Sequence, residues 1–168
     1  MEAPKRKIIR LQDYDYSQDG AYFITVCTRD RRCLFGEIVG DAHPGVPKAK
    51  LSELGHTVKT HIENIGVFYK GVTVQKYVVM PNHIHVLLLV SHERDARCAS
   101  PTKSVVAKVI NALKSLTTRQ FGKPIWQRSY HDHIIRNEDE YQLIWQYINE
   151  NPGKWADDKY FRQVTPPQ

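Results

Sequence analysis

Val72-Thr73-Val74-Gln75-Lys76-Tyr77-Val78-Val79-Met80-Pro81-Asn82-His83-Ile84-His85-Val86-Leu87-Leu88-Leu89-Val90 holds two β-rich runs broken by a single Pro-Asn dipeptide. Val72 to Met80 reads as one strand, Pro81-Asn82 as a tight turn, and His83 to Val90 as the strand that returns beside it. Side chains alternate faces along a strand, so His83 and His85 share one face while Ile84 and Val86 take the other. At a rise of ~3.3 Å per residue the two imidazoles lie about 7 Å apart along the backbone, close enough to converge on one ion. Two solvated histidines on the open face of a sheet would show the same spacing.

On the N-terminal side of this pair, Leu51, Leu54, Val58, Ile62 and Ile65 recur every three or four residues, which predicts an amphipathic helix over 50–66. Gly40 to Lys48 contains His43-Pro44-Gly45-Val46-Pro47 and reads as a loop. Ala21 to Thr28 is β-branched and aromatic, hence a buried strand, and a basic turn follows with Arg29, Arg31 and Arg32.

On the C-terminal side, Ser91 to Ser100 is a polar connector. Ser100 then caps a helix with Pro101 in its first turn, buried through Val105, Val106, Val109, Ile110, Leu113 and Leu116. Lys103, Lys108, Lys114 and Arg119 fall mostly off that stripe and give a basic surface, and Gly122 and Pro124 end the helix. His131 to Arg136 reads as a short strand. Asn137 caps a last helix from about Glu138 to Asn151, stopped by Pro152-Gly153.

The order β-α-β-β-α-β plus a C-terminal helix predicts an α+β, ferredoxin-like split βαβ fold. Its antiparallel sheet carries helices on one face, and the added helix carries Tyr147.

The 168 residues fit a single domain over 1–168, with a basic arm over 1–20 and a tail over 153–168. A hydrophobic share of 41% supports a packed core. Apolar runs do not approach the ~20 residues of a membrane span. Met1 to Arg10 is charged and has no apolar h-region, so no secretory signal is expected. Cys27, Cys33 and Cys98 fit neither a disulfide framework nor a zinc knuckle, which predicts a reducing cytoplasm. Twenty-four Lys+Arg against 18 Asp+Glu give a charge of +6, suited to a polyanion but equally to an ordinary basic protein.

Tyr147 and Asn151 are four apart on the last helix and so share a face, where a phenol could act as nucleophile and a carboxamide as an oxygen ligand. Asn149 points nearly opposite. A packed tyrosine and a C-capping asparagine would look the same in isolation. His131-Asp132-His133 repeats the His-x-His spacing in a more polar setting beside Arg128 and Arg136, and reads as a solvated or DNA-facing edge.

In combination, Met80-Pro81-Asn82-His83-Ile84-His85, then Ile125-Trp126-Gln127-Arg128-Ser129-Tyr130-His131-Asp132, then Tyr147-Ile148 with Asn151-Pro152, resemble the REP-associated tyrosine transposases. These are single-tyrosine transposases of the HUH nuclease superfamily. The resemblance runs from about Tyr22 to Lys154. It implies that His83 and His85 are the metal-binding histidines, that Tyr147 is the nucleophile, and that Asn151 completes the metal site. It places Lys154 where the family often has a basic residue.

The resemblance further implies Mg²⁺ or Mn²⁺ as cofactor, and single-stranded or hairpin DNA of REP-like type as partner. The expected setting is the bacterial cytoplasm at the nucleoid, as monomer or homodimer. The activity implied is a metal-dependent endonuclease and transposase that cuts and rejoins DNA through a 5′-phosphotyrosine. The DNA-binding candidates are Arg29, Arg31, Arg32, Lys103, Lys108, Lys114, Trp126, Arg128, Arg136 and Lys154, with Trp126, Tyr130 and Trp145 available to stack on bases. Trp145 is more readily a packing residue. A non-catalytic nucleic-acid-binding module and a hydrolytic metallo-phosphoesterase are the rival readings; a covalent DNA adduct separates them from the first.

Overall fold

A computed structural model describes residues 19–40, 47–91 and 104–160. Four strands form one antiparallel sheet: β1 (Gly20–Cys27), β4 (Val72–Met80), β5 (His83–Val90) and β6 (His131–Ile135), in the order β4-β5-β1-β6. That order places the first strand between the third and fourth of the split βαβ unit, so the ferredoxin-like topology holds. β4 and β5 have the expected bounds, and a register shift between Val74 and Lys76 bends β4.

Alternation divides the sheet into two dissimilar faces. Tyr22, Ile24 and Val26 of β1 join Ile84, Val86 and Leu88 of β5 on one face. They pack under α1 (Glu53–Glu63) and α3 (Val105–Phe121), through Val58 and Ile62 of the first and Val109, Ile110 and Leu113 of the second. This is the main core. The other face has a small apolar cluster of Ala21, Leu87 and Ile148, flanked by Phe23, Ile144 and Trp145, where α4 (Glu138–Glu150) crosses the sheet.

The structure departs from the sequence reading at several points. A hairpin of β2 (Gly36–Val39) with β3 (Lys48–Leu51) is inserted after β1; its strands are only four residues each and flank the breaker-rich 40–48 stretch. The expected helix over 50–66 is α1 followed by a separate short turn, α2 (Ile65–Phe68). Ser104, not Ser100, caps α3, its side chain accepting from the Ala107 amide at 3.1 Å. The Ser100-Pro101 pair and most of the 91–100 connector lie outside the described residues.

Leu116 does not complete the buried stripe of α3, being 42% exposed. Thr117 is buried instead, its hydroxyl donating to the Leu113 carbonyl at 2.7 Å and accepting from the Trp126 indole at 2.8 Å. Gly122 ends α3 in a left-handed conformation, φ 78. α4 ends at Glu150, as expected from Pro152-Gly153, but the chain goes on into a 3₁₀ segment, Asn151–Asp157, near whose start the missing N–H of Pro152 is no loss. None of the described helices is long and apolar enough to cross a membrane.

One close approach locks the hairpin to the helical layer. Ser52 accepts from the Gly55 amide at 3.1 Å and donates to the Leu34 carbonyl at 2.8 Å, which brings the start of α1 against Phe35. A Cβ on Gly55 would lie 2.1 Å from the Phe35 carbonyl oxygen, where only backbone could give way. Gly55→Ala is therefore expected to cost about 1–3 kcal/mol and to lower Tm by roughly 2–10 °C in a circular-dichroism melt. Gly40→Ala, whose added methyl meets nothing within 4 Å, is the control. Equal melting of the two variants would rule out the packing constraint.

Candidate active site

The polar cluster lies on the sheet face crossed by α4. His83 and His85 are 0% and 1% exposed, and their Nε2 atoms stand 3.1 Å apart. Each Nδ1 has a partner. His83 Nδ1 bonds Asn82 Oδ1 at 2.9 Å, and His85 Nδ1 bonds Thr25 Oγ1 at 2.8 Å.

The Asn82 amide is oriented by its nitrogen, which donates to the carbonyls of Tyr160 at 2.8 Å and Arg31 at 3.2 Å. Its oxygen must then accept, so the His83 proton sits on Nδ1 and the Nε2 lone pair faces the site. The Thr25 hydroxyl is also bonded to Tyr160, so Thr25 can donate there while accepting from His85. Burial holds both imidazoles below the usual histidine range; for His83 the Asp158 carboxylate partly counters it, and for His85 the neighbouring His83 adds to it. Neutral rings with bare Nε2 atoms are what a metal ligand requires.

The chain after β6 supplies the other half of the cluster. Tyr147 lies 38% exposed on α4 with its hydroxyl 3.3 Å from His85 Nε2. Burial, then the charges of Asp158 and Tyr160, push that hydroxyl up to about 12, against a hydrogen bond with Asn151 that lowers it. Asn151, one helical turn on, is 2% exposed. Its nitrogen donates to Asp158 Oδ2 at 3.0 Å, while its Oδ1 is buried with no hydrogen-bond partner. Asp158 accepts the Tyr160 amide at 2.7 Å and stands 3.9 Å from His83 Nε2. Asn149 faces away, as expected, taking a bond from Lys76 at 3.1 Å.

These residues fit a divalent cation. The ligand atoms of His83, His85 and Asp158 all lie within 4.8 Å of one another. The orphaned Asn151 oxygen is a buried acceptor of the kind that is costly unless something binds it. Mixed imidazole nitrogen and neutral or anionic oxygen, without thiolate, is a donor set for a divalent cation and not that of a closed thiolate zinc site. Asp158, Thr25, Asn82 and Tyr160 were not among the site residues expected from the sequence. Asp158 follows a kinked 3₁₀ segment in an extended conformation, so no helical spacing in the sequence could have signalled it.

The expected DNA contacts divide by location. Arg29, Arg32, Arg128, Arg136 and Lys154 are exposed, the last paired with Glu150, and Arg31 is half-buried. Lys103 lies outside the described residues. Lys108 and Lys114 are half-buried on α3, which packs on the opposite sheet face from the histidines. The Lys114 ammonium is engaged within the fold, donating to the carbonyls of Gln127 at 2.6 Å and Arg128 at 3.0 Å.

Trp126 is not free to stack on bases. It is 7% exposed in the main core, 5.0 Å from the Phe35 ring, with its indole N–H satisfied by Thr117. Tyr130 packs against the same core. Trp145 packs on the α4 side, with the Lys76 ammonium 4.9 Å from its ring. His131 and His133 are exposed on β6, paired in register with Thr25 and Phe23, so they edge the face that holds the cluster.

The family described as IS200-like transposases matches residues 19–151. A Haemophilus influenzae protein described as uncharacterized is 32% identical over 173 residues, covering 93% of this chain and 93% of its own length. Among solved structures, a REP-associated tyrosine transposase bound to a REP hairpin aligns with a TM-score of 0.63 at 22% identity. That alignment covers 92% of this chain and 77% of the other, and establishes a shared fold. Asp158 and Tyr160 lie beyond the family match.

Asn82 ties three parts of this site together, and its replacement tests the arrangement. Asn82→Leu strands the His83 N–H and the carbonyls of Arg31 and Tyr160. The expected cost is about 2–5 kcal/mol, a Tm lower by roughly 5–15 °C. Amide exchange near Asp158 to Tyr160 should quicken. Exchange there at the unsubstituted rate would show that Asn82 does not hold the C-terminal segment.

Proposed function

This chain belongs to the IS200-like transposase family, which makes it a DNA-cleaving enzyme, and on that premise we propose that it cuts and rejoins single-stranded or hairpin DNA through Tyr147. The observation that carries the proposal is the Tyr147 hydroxyl 3.3 Å from His85 Nε2, on the face where His83, Asn151 and Asp158 also converge. A helical tyrosine that only packed would have no reason to bring its hydroxyl to a cluster of buried ligand atoms.

In the proposed reaction Tyr147 Oη bonds to phosphorus and the P–O3′ bond breaks. The phenolic proton is balanced by the proton gained at the departing 3′-hydroxyl, and a 5′-phosphotyrosine remains on the protein. A phenol, with a pKa near 10, leaves phosphorus more readily than an alcohol does, so a 3′-hydroxyl can reverse the step and reseal a strand. Tyr147 thus retains the bond energy that hydrolysis would dissipate.

His83, His85 and Asn151, with Asp158 adjoining, would hold Mg²⁺ or Mn²⁺. When bound, the ion supplies Lewis-acid polarisation and neutralises phosphate charge. Thr25 and Asn82 orient the two imidazoles from behind, as second partners of metal-binding histidines do. Folded single strands are the proposed substrate because the structural relative was solved with a REP hairpin, and because Arg29, Arg31, Arg32 and Arg128 flank this half of the molecule.

Incubation with labelled hairpin DNA and Mg²⁺ or Mn²⁺ is expected to give an adduct that survives denaturation, with chelator abolishing it. Tyr147→Phe should bind DNA and melt as the parent does, yet form no adduct. An adduct that persists in Tyr147→Phe, or maps by mass spectrometry to another tyrosine, refutes the assignment. Absence of any adduct together with cleavage favours a hydrolytic enzyme; binding without cleavage favours a non-catalytic module.

The metal site has its own test. Mn²⁺ at a hundred times its Kd should stabilise the free protein by about 2.7 kcal/mol through linkage, and His83→Ala should lose the resulting rise in Tm. Full Mg²⁺-dependent cleavage by His83→Ala would remove that residue from the site.

A further inference from the structure

Residues 152–160 lie beyond the 19–151 family match, yet they close over the histidine pair. The Trp155 and Tyr160 rings stand 6.0 and 4.7 Å from the His83 ring. Two carbonyls anchor the segment: that of Tyr160 accepts from Asn82 at 2.8 Å, and that of Lys159 from Arg31 at 3.2 Å. Between these contacts the chain turns one carboxylate inward. The Asp158 side chain is 2% exposed, and among the described residues no ammonium or guanidinium forms an ion pair with it. A buried charge of this kind is unfavourable until a counter-charge joins it.

The bonds that Asp158 does make fix the carboxylate without neutralising it. Oδ1 takes the Tyr160 amide at 2.7 Å, and Oδ2 takes the Asn151 carboxamide nitrogen at 3.0 Å. Oδ2 is also the oxygen 3.9 Å from His83 Nε2, which stands 3.1 Å from His85 Nε2. With the protons of both imidazoles on Nδ1, three lone pairs meet here and none of the three atoms has a hydrogen to give. Two ligands at right angles around an ion, each about 2.1 Å from it, stand roughly 3 Å apart, which is the separation of the two imidazole nitrogens.

Charge gives a second reason. Two neutral imidazoles and a neutral carboxamide would leave a divalent ion to be balanced by DNA phosphate alone, whereas one carboxylate offsets part of its charge within the protein. Asn151 also hydrogen-bonds the Tyr147 hydroxyl. One carboxamide thus links the carboxylate to the tyrosine, so that whatever Asp158 holds is kept in register with Tyr147.

We propose that Asp158 is the anionic ligand of the divalent cation, that it lets the ion bind before DNA arrives, and that the bound ion clamps residues 152–160 to the histidine strand. The proposal rests on the reading of His83 and His85 as metal-binding residues. It extends the site past the part of the chain that the family match covers.

The test is made on the whole protein without DNA, with Mn²⁺ as the probe, titrated by electron paramagnetic resonance. The unsubstituted protein is expected to bind Mn²⁺, and Asp158→Asn to bind it roughly tenfold more weakly or worse. Loss of a residue that merely oriented Asn151 would weaken the ion too, so a second variant decides the role. Asp158→Cys offers a thiolate, and soft ligands favour Cd²⁺ over Mn²⁺. If Asp158 touches the ion, the Cd²⁺-to-Mn²⁺ affinity ratio should rise about tenfold or more over that of the unsubstituted protein, whose other cysteines are the same. Hydrogen exchange reads the clamp: Mn²⁺ should slow the amides of Asp158, Lys159 and Tyr160 in the unsubstituted protein and not in Asp158→Asn.

Unchanged Mn²⁺ affinity in Asp158→Asn, or an unchanged ratio in Asp158→Cys, would overturn Asp158 as a ligand. Exchange that Mn²⁺ leaves unaltered would overturn the clamp. Should either variant fold poorly, exchange in the unsubstituted protein decides. His83→Ala separates this proposal from the reading beneath it. Mn²⁺ lost there but fully bound by Asp158→Asn keeps the histidine site and removes Asp158, while an unsubstituted protein that binds no Mn²⁺ removes both.

Discussion

The register between β1 and β5 is the constraint from which the site follows. Their pairing runs unbroken from Gly20 against Val90 to Cys27 against His83, and it sets Thr25 opposite His85. A slip of one residue would turn every side chain of β5 to the other face, sending both imidazoles into the main core and Ile84, Val86 and Leu88 out of it. The register is enforced from the face opposite the polar cluster. Tyr22, Ile24 and Val26 are fully buried beneath α1 and α3, in the main hydrophobic core. Close packing on that face fixes what polar groups meet on this one.

The division between faces also explains how much of the molecule could be read from its sequence. β4, β5 and the histidine pair were legible because period-two alternation and a Pro-Asn turn are local signals. Tyr147 and Asn151 were legible through helical spacing, given an Asn137 cap that the structure retains, its side chain accepting from Glu140 at 2.8 Å. Thr25 and Asn82 were not. Their roles depend on partners that only the folded sheet and the returning C-terminal segment bring near.

Asp158 was hidden because the α-helical pattern stops at Glu150, and the chain reaches Asp158 through a 3₁₀ segment kinked at Lys154, which carries no periodic signal. Trp126 misled differently. Its motif suggested a stacking surface, while its indole N–H found Thr117 on α3 and its ring found the core. The short hairpin strands β2 and β3 carried too few residues for a periodic signal beside so many breakers.

The α4 face pays in stability for what it holds. Buried there are two imidazoles, a carboxamide oxygen without a partner and a carboxylate, against a small apolar cluster centred on Leu87 and Ile148. Grouping unpaired or weakly paired acceptor atoms is unfavourable until a cation joins them. The helical layer, by contrast, buries aliphatic side chains from both α1 and α3 and carries the fold's cohesion. Substitutions among the aliphatic side chains of the main core should accordingly change chiefly how well the protein folds.

The distribution of the cluster along the chain has a consequence for biosynthesis. His83 and His85 emerge from the ribosome well before Tyr147, Asn151 and Asp158, and β6, the last strand of the sheet, pairs with β1, the first. Asn82 finds its Tyr160 partner 78 residues downstream. A nascent chain therefore holds the histidines long before it holds the tyrosine, and the pieces stay apart until the closing segment folds back across the sheet. The polar cluster is in this way assembled last, incomplete until the segment that carries Asn151, Asp158 and Tyr160 has folded back onto the histidine strand.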